Sequence, residues 1–339
     1  MTNEPIDIVL KWVDNNDPVW KQEKEKYMTG GNYLDAATAE YRFREWHNLQ
    51  FIFRGIEKYM PWIRKVFIVT YGHYPAFLND SCKRLIKVKH SDFIPSKYLP
   101  TFNSKTIDFN LFRIDGLSEN FILFDDDTFP IRGIDREYYF SQNRVCDQAV
   151  QTINIPTPSI GNILYFTNKA NNIRVINKHF DKRVVISSNR DKWFNEQYDE
   201  EDLERNRNLE YWDKFTGFRE PHVPLAFKKS TFKILWEKEY ELLNMTCSHR
   251  FRDYRDVTIY LARYWQLCKG DFFARKTSGK IFYLQEKNIE TVINYINNQS
   301  GNFICLEDEY LSEKLFKEVC GQLNEAFQRI MPDKSKFEL

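Results

Sequence analysis

Two hydrophobic rhythms organise the first 130 residues. Short, nearly unbroken apolar runs occur at Ile6 to Trp12, Lys65 to Thr70, Leu85 to Lys89 and Phe121 to Phe124. Each has the length of a buried strand. Between them, Leu49, Ile52, Phe53, Ile56 and Met60 recur at helical spacing, and Pro61 stops that helix. Asn103 or Ser104 can cap a further helix that turns Ile107, Leu111 and Ile114 inward. Strands alternating with helices predict an α/β sheet. Ligands bind such sheets beyond the carboxyl ends of the strands. Two acidic clusters follow strands there: Asp14 and Asp17 after the first, and Asp125-Asp126-Asp127 after the run ending at Phe124.

Other segments are less regular. Lys21 to Asp35 is polar, contains Gly30-Gly31, and reads as a mobile loop. Pro156-Thr157-Pro158 marks a turn. Arg190 to Glu220 is dense in charge, with Trp193, Trp212 and Phe215 among it, and predicts a helical insertion with a solvated face. Asp256 is expected to start a helix with Val257, Tyr260, Leu261 and Tyr264 on one face. Tyr310 to Ile330 carries an apolar stripe from Leu311 through Val319 and Phe327, which predicts an amphipathic helix packed on the domain rather than on a membrane.

Composition narrows the function. With 339 residues the chain can bury a substantial core. A net charge of +1 disfavours nucleic acid as a partner. The aromatic share of 16% suits carbohydrate and nucleobase contacts as well as packing. Six widely spaced cysteines form no Cys-x-x-Cys pair, so a cysteine zinc site or disulfide scaffold is disfavoured and reduced thiols in a cytoplasmic protein are expected. No apolar window approaches the ~20 residues of a membrane span, so any membrane association is expected to be peripheral. Walker, Gly-x-Gly-x-x-Gly and Gly-x-Ser-x-Gly sequences are missing.

Adjacent carboxylates at 125–127 repel one another unless a cation offsets them, and Mg²⁺ takes one or two carboxylates together with phosphate oxygens. A capped, solvated turn is the plainer reading of the same residues. Asp14 and Asp17 have a plainer reading too, as turn residues. His222 lies between Pro221 and Pro224 on a stiff segment, where it can act as a general base or be merely structural. Arg250 and Arg252 suit phosphate through paired hydrogen bonds, or form an ordinary surface cluster.

Four blocks, in order, resemble the Stealth family of hexose-1-phosphate transferases. They are Ile6 to Pro18; Arg42-Phe43-Arg44 through Pro61-Trp62-Ile63-Arg64-Lys65 and Leu99 to Ser104 to Asp125-Asp126-Asp127; Pro221-His222 through Ser248 to Arg252; and Phe303-Ile304-Cys305-Leu306-Glu307-Asp308. Bacterial members of that family make capsular and cell-wall polysaccharides with phosphodiester links, and an animal relative is the N-acetylglucosamine-1-phosphotransferase that tags lysosomal enzymes. The resemblance implies a Rossmann-like glycosyltransferase (GT-A-like) α/β core with helical insertions. It divides the chain into a nucleotide-sugar-binding α/β half over 1–150, a second catalytic half over 151–309 and a C-terminal helix over 310–339. It implies a UDP-sugar donor, a glycan or lipid-linked oligosaccharide acceptor, Mg²⁺ or Mn²⁺, and a cytoplasmic location at the inner membrane face.

Carried over by residue, Asp126, Asp127 and Asp308 match metal ligands. His222, Arg252 and Asp127 match the catalytic set. Asp14, Asn103, Ser104, Lys105 and Arg250 fall beside the expected substrate site. Glu307 replaces a usual asparagine, Asp125 stands where asparagine is common, and Lys105 where histidine or asparagine is frequent. An extra carboxylate can alter metal binding, and Lys105 can alter donor or acceptor preference. The expected reaction is attack of an acceptor hydroxyl on the phosphorus next to the sugar, with UMP leaving. The alternatives are an ordinary metal-dependent glycosyltransferase that releases UDP, and a catalytically silent carbohydrate- or Ca²⁺-binding module.

Overall fold

The computed structural model describes residues 4–28, 46–155, 163–308 and 311–339. The turn expected at Pro156-Thr157-Pro158 lies outside the described residues, as do Arg42-Phe43-Arg44 of the second block. A five-stranded sheet forms the centre, in the order β3-β2-β1-β4-β8. It is built from β1 (Ile6–Lys11), β2 (Val66–Thr70), β3 (Leu85–Lys89), β4 (Asn120–Phe124) and β8 (Leu225–Lys228). β1 pairs in parallel with both β2 and β4, and β2 with β3, while β8 joins β4 antiparallel. The apolar runs reflect this: β2 and β4 are buried along their whole length and β1 along all but its last residue, as interior parallel strands require. Asp7 is the polar interruption in β1. It is fully buried, and accepts from Arg64 Nε at 2.8 Å and from the Ser118 backbone N–H at 2.8 Å.

The strand order reverses direction between β1 and β4. That crevice, at the carboxyl ends of two neighbouring parallel strands, is where a sheet of this kind leaves room for a ligand. Register aligns Leu10 of β1 with Phe124 of β4, so the residues that follow, Lys11 and Asp125, emerge side by side.

The helix after β1 is a correction to the expected mobile loop. Helix α1 spans Pro18–Met28, and only what lies beyond it in that segment falls outside the described residues. Asp17 caps it by accepting from the Trp20 N–H at 2.7 Å, and Pro18 occupies the first position. Its polarity hid it, because only Trp20 and Lys24 are buried. Helix α2 (Leu49–Tyr59) ends before Pro61, as its pattern predicts. Gly55 brings it against β5 (Thr128–Pro130): a Cβ there would stand 2.6 Å from the Pro130 carbonyl oxygen. Helix α3 (Ser104–Asn110) is capped by Asn103, whose side chain accepts from the Lys105 N–H.

Strand β5 continues from the acidic turn and pairs antiparallel with β11 (Phe303–Asp308), which also runs parallel to β10 (Lys280–Leu284). The Leu306 N–H donates to the Asp127 carbonyl at 3.0 Å, which fixes β11 beside the acidic turn. A third sheet joins β6 (Phe140–Ser141), β7 (Arg144–Asp147) and β9 (Phe272–Ala274).

Helix α4 (Ile163–His179) packs on the helix Tyr260–Lys269. The charged insertion forms short helices and α5 (Glu200–Glu210); Trp193 and Phe215 are buried inside it, and Trp212 is half-exposed. α6 (Lys229–Lys238) and α7 (Tyr240–Ser248) follow β8. The helix expected to start at Asp256 begins at Tyr260 instead, as α8 (Tyr260–Lys269). Asp256 is spent elsewhere, as shown below. After α9 (Ile289–Asn297), helix α10 (Glu313–Ile330) buries Val319, Leu323, Ala326 and Phe327, and Phe327 packs its ring on Phe51 and Phe129. Arg54 of α2 binds Glu338 through Nε at 3.0 Å and through its NH2 nitrogen at 2.8 Å, which ties the C-terminal tail to the sheet-covering helix. No helix among the described residues is long and apolar enough to cross a membrane.

Candidate active site

A cavity of about 370 Å³ opens at the β1–β4 crevice. Lys11 stands at its floor. Its ammonium lies 2.6 Å from Asp108 Oδ1 and 2.9 Å from Asp125 Oδ1. Burial opposes a charge on this lysine, but Asp108 and then Asp125 outweigh it and raise its pKa. Burial also pushes the Asp108 carboxyl up, against the pull of Lys11. For Asp125, burial is overcome by Lys11 and by His222, so its carboxyl is held well below the ordinary value. The carboxylate that departs from the family pattern at 125 is therefore matched by a lysine at the end of the neighbouring strand.

Asp127 is in a different state. Burial, together with Asp125 and Glu307, pushes its pKa up to about 6 against the pull of His222. Thr128 donates to it at 3.0 Å. His222 arrives on the segment leading into β8. Its Nδ1 lies 2.8 Å from Glu307 Oε1, and its Nε2 lies 3.7 Å from Asp127 Oδ2 and 3.8 Å from Asp125 Oδ2. Burial works against an imidazolium, yet Asp127, helped by Asp125, prevails and holds the pKa well above the ordinary value. The acids around the ring favour its charged form.

Ligand atoms of Asp127, His222 and Cys305 lie within 4.8 Å of one another. Burial pushes the Cys305 thiol up to about 12, so it is not the thiolate that ligates metals. Carboxylate oxygens remain as the donors, and oxygen donors are what Mg²⁺ takes. The crowding that raises Asp127 fits a cation there. Asp126 is exposed at the cavity mouth. The Asp308 backbone closes β11, and its side chain lies outside the described residues.

The other wall is cationic. Arg252, Ser104 and Lys105 line it, and an Arg252 guanidinium nitrogen donates to Ser104 Oγ at 3.2 Å. Lys105 is buried; burial lowers its pKa to about 8 against Asp256, which lies 3.1 Å from its ammonium. Asp256 is the hub of this wall. Besides Lys105 it receives Asn103 Nδ2 at 3.0 Å and the Asp253 N–H at 2.9 Å, and its other oxygen lies 2.6 Å from His249 Nδ1. It thus folds the 249–256 loop so that Arg252 faces the cavity.

Asp14, Asn103 and Arg250 do not line the cavity. Asp14 takes part in the turn before α1, receiving the Asn16 N–H at 2.8 Å, while its own N–H donates to His73. Asn103 is fully buried as cap and loop anchor. Arg250 donates to the Pro100 carbonyl and lies over the Tyr27 ring at 4.6 Å. Sequence reasoning missed Lys11, Asp108, Tyr165, Lys169, Glu220 and Tyr260, which all line the cavity. Lys11 carried a signal, a lone cation closing an apolar strand beside the strand that ends in acids. The others carried none.

Residues 42–148 match the family described as Stealth protein CR2, conserved region 2. The chain is 34% identical to the capsular polysaccharide phosphotransferase WcwK of Streptococcus pneumoniae over 340 residues, covering 99% of this chain and 98% of the relative. It is 33% identical to the exopolysaccharide phosphotransferase cps2G of Lactiplantibacillus plantarum, covering 98% and 96%. It is 30% identical to the receptor polysaccharide phosphotransferase WefC of Streptococcus gordonii, covering 99% of each. A site of acids, imidazole and arginine at a sheet crevice thus sits in a chain that matches these enzymes along nearly its whole length, and the protein belongs to the Stealth family of polysaccharide phosphotransferases and is a transferase.

Proposed function

We propose that the enzyme transfers a hexose- or N-acetylhexosamine-1-phosphate from a UDP-sugar to a glycan hydroxyl, releasing UMP and leaving a phosphodiester link in a capsular or cell-wall polysaccharide. The observation that carries the reading is the convergence of His222, Asp127 and Arg252 in one cavity at the β1–β4 crevice. The mixed, mostly parallel sheet with its reversed strand order supports a GT-A-like core. The acceptor oxygen attacks the phosphorus next to the sugar. The bond from that phosphorus to the bridging oxygen breaks, and its electron pair leaves with UMP. His222, in its neutral form, takes the hydroxyl proton at Nε2. Arg252 and Lys105 face the anionic diphosphate, and Arg252 stabilises the charge that develops on the transferred group. A divalent cation, Mg²⁺ or Mn²⁺, held by Asp127 with Asp126 and Asp308, would neutralise the diphosphate and supply the positive charge that the imidazolium now gives the carboxylates.

A lipid-linked oligosaccharide or growing polymer as acceptor places the work in the cytoplasm, at the inner face of the membrane. All six cysteines are free thiols, which supports that location. The test is the nucleotide released when the protein meets UDP-sugars, Mg²⁺ and a short glycan. UMP with a phosphodiester product is the expected result. UDP with a plain glycosidic product would replace this reading with that of an ordinary glycosyltransferase.

A further inference from the structure

The cavity has a third wall that neither the acids nor the cationic corner accounts for. Tyr165, near the start of α4, leaves 47% of its surface exposed while lining the cavity. One turn on, Lys169 sets its ammonium 5.6 Å from the Tyr165 ring centre and 3.8 Å from Glu220 Oε2. Glu220 also accepts from the Tyr264 hydroxyl, and its side chain is only 4% exposed. Tyr260 donates its hydroxyl to the Pro221 carbonyl at 3.0 Å. This wall combines a half-exposed aromatic ring, whose hydroxyl is hydrogen-bonded to Glu220, with one cation and one anion whose separation exceeds a hydrogen bond, so both keep bonding capacity. Its net charge is close to zero, which suits a neutral, hydroxyl-rich ring and not a diphosphate.

Its position adds the second half of the argument. Glu220 and His222 are two residues apart, on a segment that Tyr260 holds by the intervening carbonyl. The base must touch the attacking hydroxyl, so the group carrying that hydroxyl rests on the surface next to His222. That surface is the Tyr165–Glu220 wall. The anionic donor is drawn to Lys105 and Arg252, and the two corners part at α4: Lys105 donates to the side-chain amide oxygen of Asn168, whereas the next residue, Lys169, faces Glu220.

We infer that Tyr165, Lys169 and Glu220 form the acceptor subsite, with the terminal pyranose of the acceptor glycan stacked on Tyr165 and its hydroxyls held by Lys169 and Glu220. The inference rests on the transferase reading above. Ligand-observed NMR tests it without turnover, using methyl glycosides of hexoses, N-acetylhexosamines and their disaccharides with the full-length protein. Ring-proton contacts are expected with the unaltered protein, persisting when saturating UMP fills the cationic corner. Tyr165→Ala should weaken binding roughly tenfold, the value of one lost stacking contact, and Tyr165→Trp should retain it. The exposed side chain makes either change compatible with folding. Binding of no glycoside, equal binding by Tyr165→Ala, or displacement by UMP would each overturn the subsite. Release of UDP instead of UMP in the turnover assay would overturn the phosphotransfer chemistry while leaving the glycoside result standing, so the two failures are separable.

Discussion

Two clusters of opposite charge lie in this molecule and behave differently. Arg263 and Asp147 are buried and closed. The guanidinium grips both carboxylate oxygens at 2.7 and 3.0 Å, and its remaining donors reach the Arg219 and Gln148 carbonyls at 2.7 and 2.8 Å. His222 and its acids are open: Nδ1 of the imidazole lies 2.8 Å from Glu307, while Nε2 stands 3.7 and 3.8 Å from Asp127 and Asp125. In the first cluster every guanidinium nitrogen and both carboxylate oxygens are engaged, so little is left for a ligand. In the second, a raised Asp127 and a raised His222 record an unresolved balance that a substrate or cation can complete. A satisfied pair is architecture and an unsatisfied one is chemistry.

That distinction can be broken by substitution. His222→Ala should lower kcat roughly 10²- to 10⁴-fold while the midpoint of thermal unfolding changes by only a few degrees. Near-normal turnover in a folded variant would remove the base. Arg263→Ala should do the reverse, leaving Asp147 buried without its cation and costing about 3–5 kcal/mol in denaturant unfolding. A loss below 1 kcal/mol would show that the closed cluster is not structural.

Two smaller effects sharpen the comparison. Mg²⁺ or Mn²⁺ at about 100 times its Kd should stabilise the fold by about 2.7 kcal/mol, read as a rise in Tm, and Asp127→Asn should abolish the response. An undiminished rise in that variant would place the cation elsewhere. The smallest effect concerns Lys105, whose pKa burial lowers to about 8. Above that pH it loses its charge, so the donor KM should rise several-fold between pH 7 and 9, and Lys105→Met should flatten this profile. The stability sign is opposite. Between about 8 and the ordinary value of 10.5 the unfolded chain binds the proton more tightly, so this group adds stability as pH rises through that window. A donor KM independent of pH would take Lys105 away from the diphosphate.

Most of the sheet was legible because β1, β2 and β4 are buried on both sides and read as plain apolar runs, whereas β8 carried too short a run to be read as a strand. The acidic turn was legible because three carboxylates in sequence are a local signal. Helix α1 was hidden, since it buries little more than Trp20 and Lys24 and reads as polar chain. Asp256 looked like a helix start because its four partners, Asn103, Lys105, His249 and the Asp253 N–H, are gathered by folding and only the nearest lies within three residues. Arg250 looked like Arg252, yet only one of the two faces the cavity: the difference is a loop conformation, which residue type does not encode. Tyr165 and Glu220 were invisible for the same reason, being ordinary residues until α4 and the entry to β8 bring them to one wall.

The antiparallel pairing of β8 with β4 reaches further than the sheet. Leu123 is in register with Leu225, so the chain leaves the centre at the acidic turn and re-enters it beside the same turn, carrying His222 back to Asp127. Everything between is an excursion whose two ends are nailed at one spot. Descendants of such a chain can lengthen, trim or replace that excursion, and with it the surface offered to a new polysaccharide, while the spacing of imidazole to carboxylate stays under the custody of four backbone pairs.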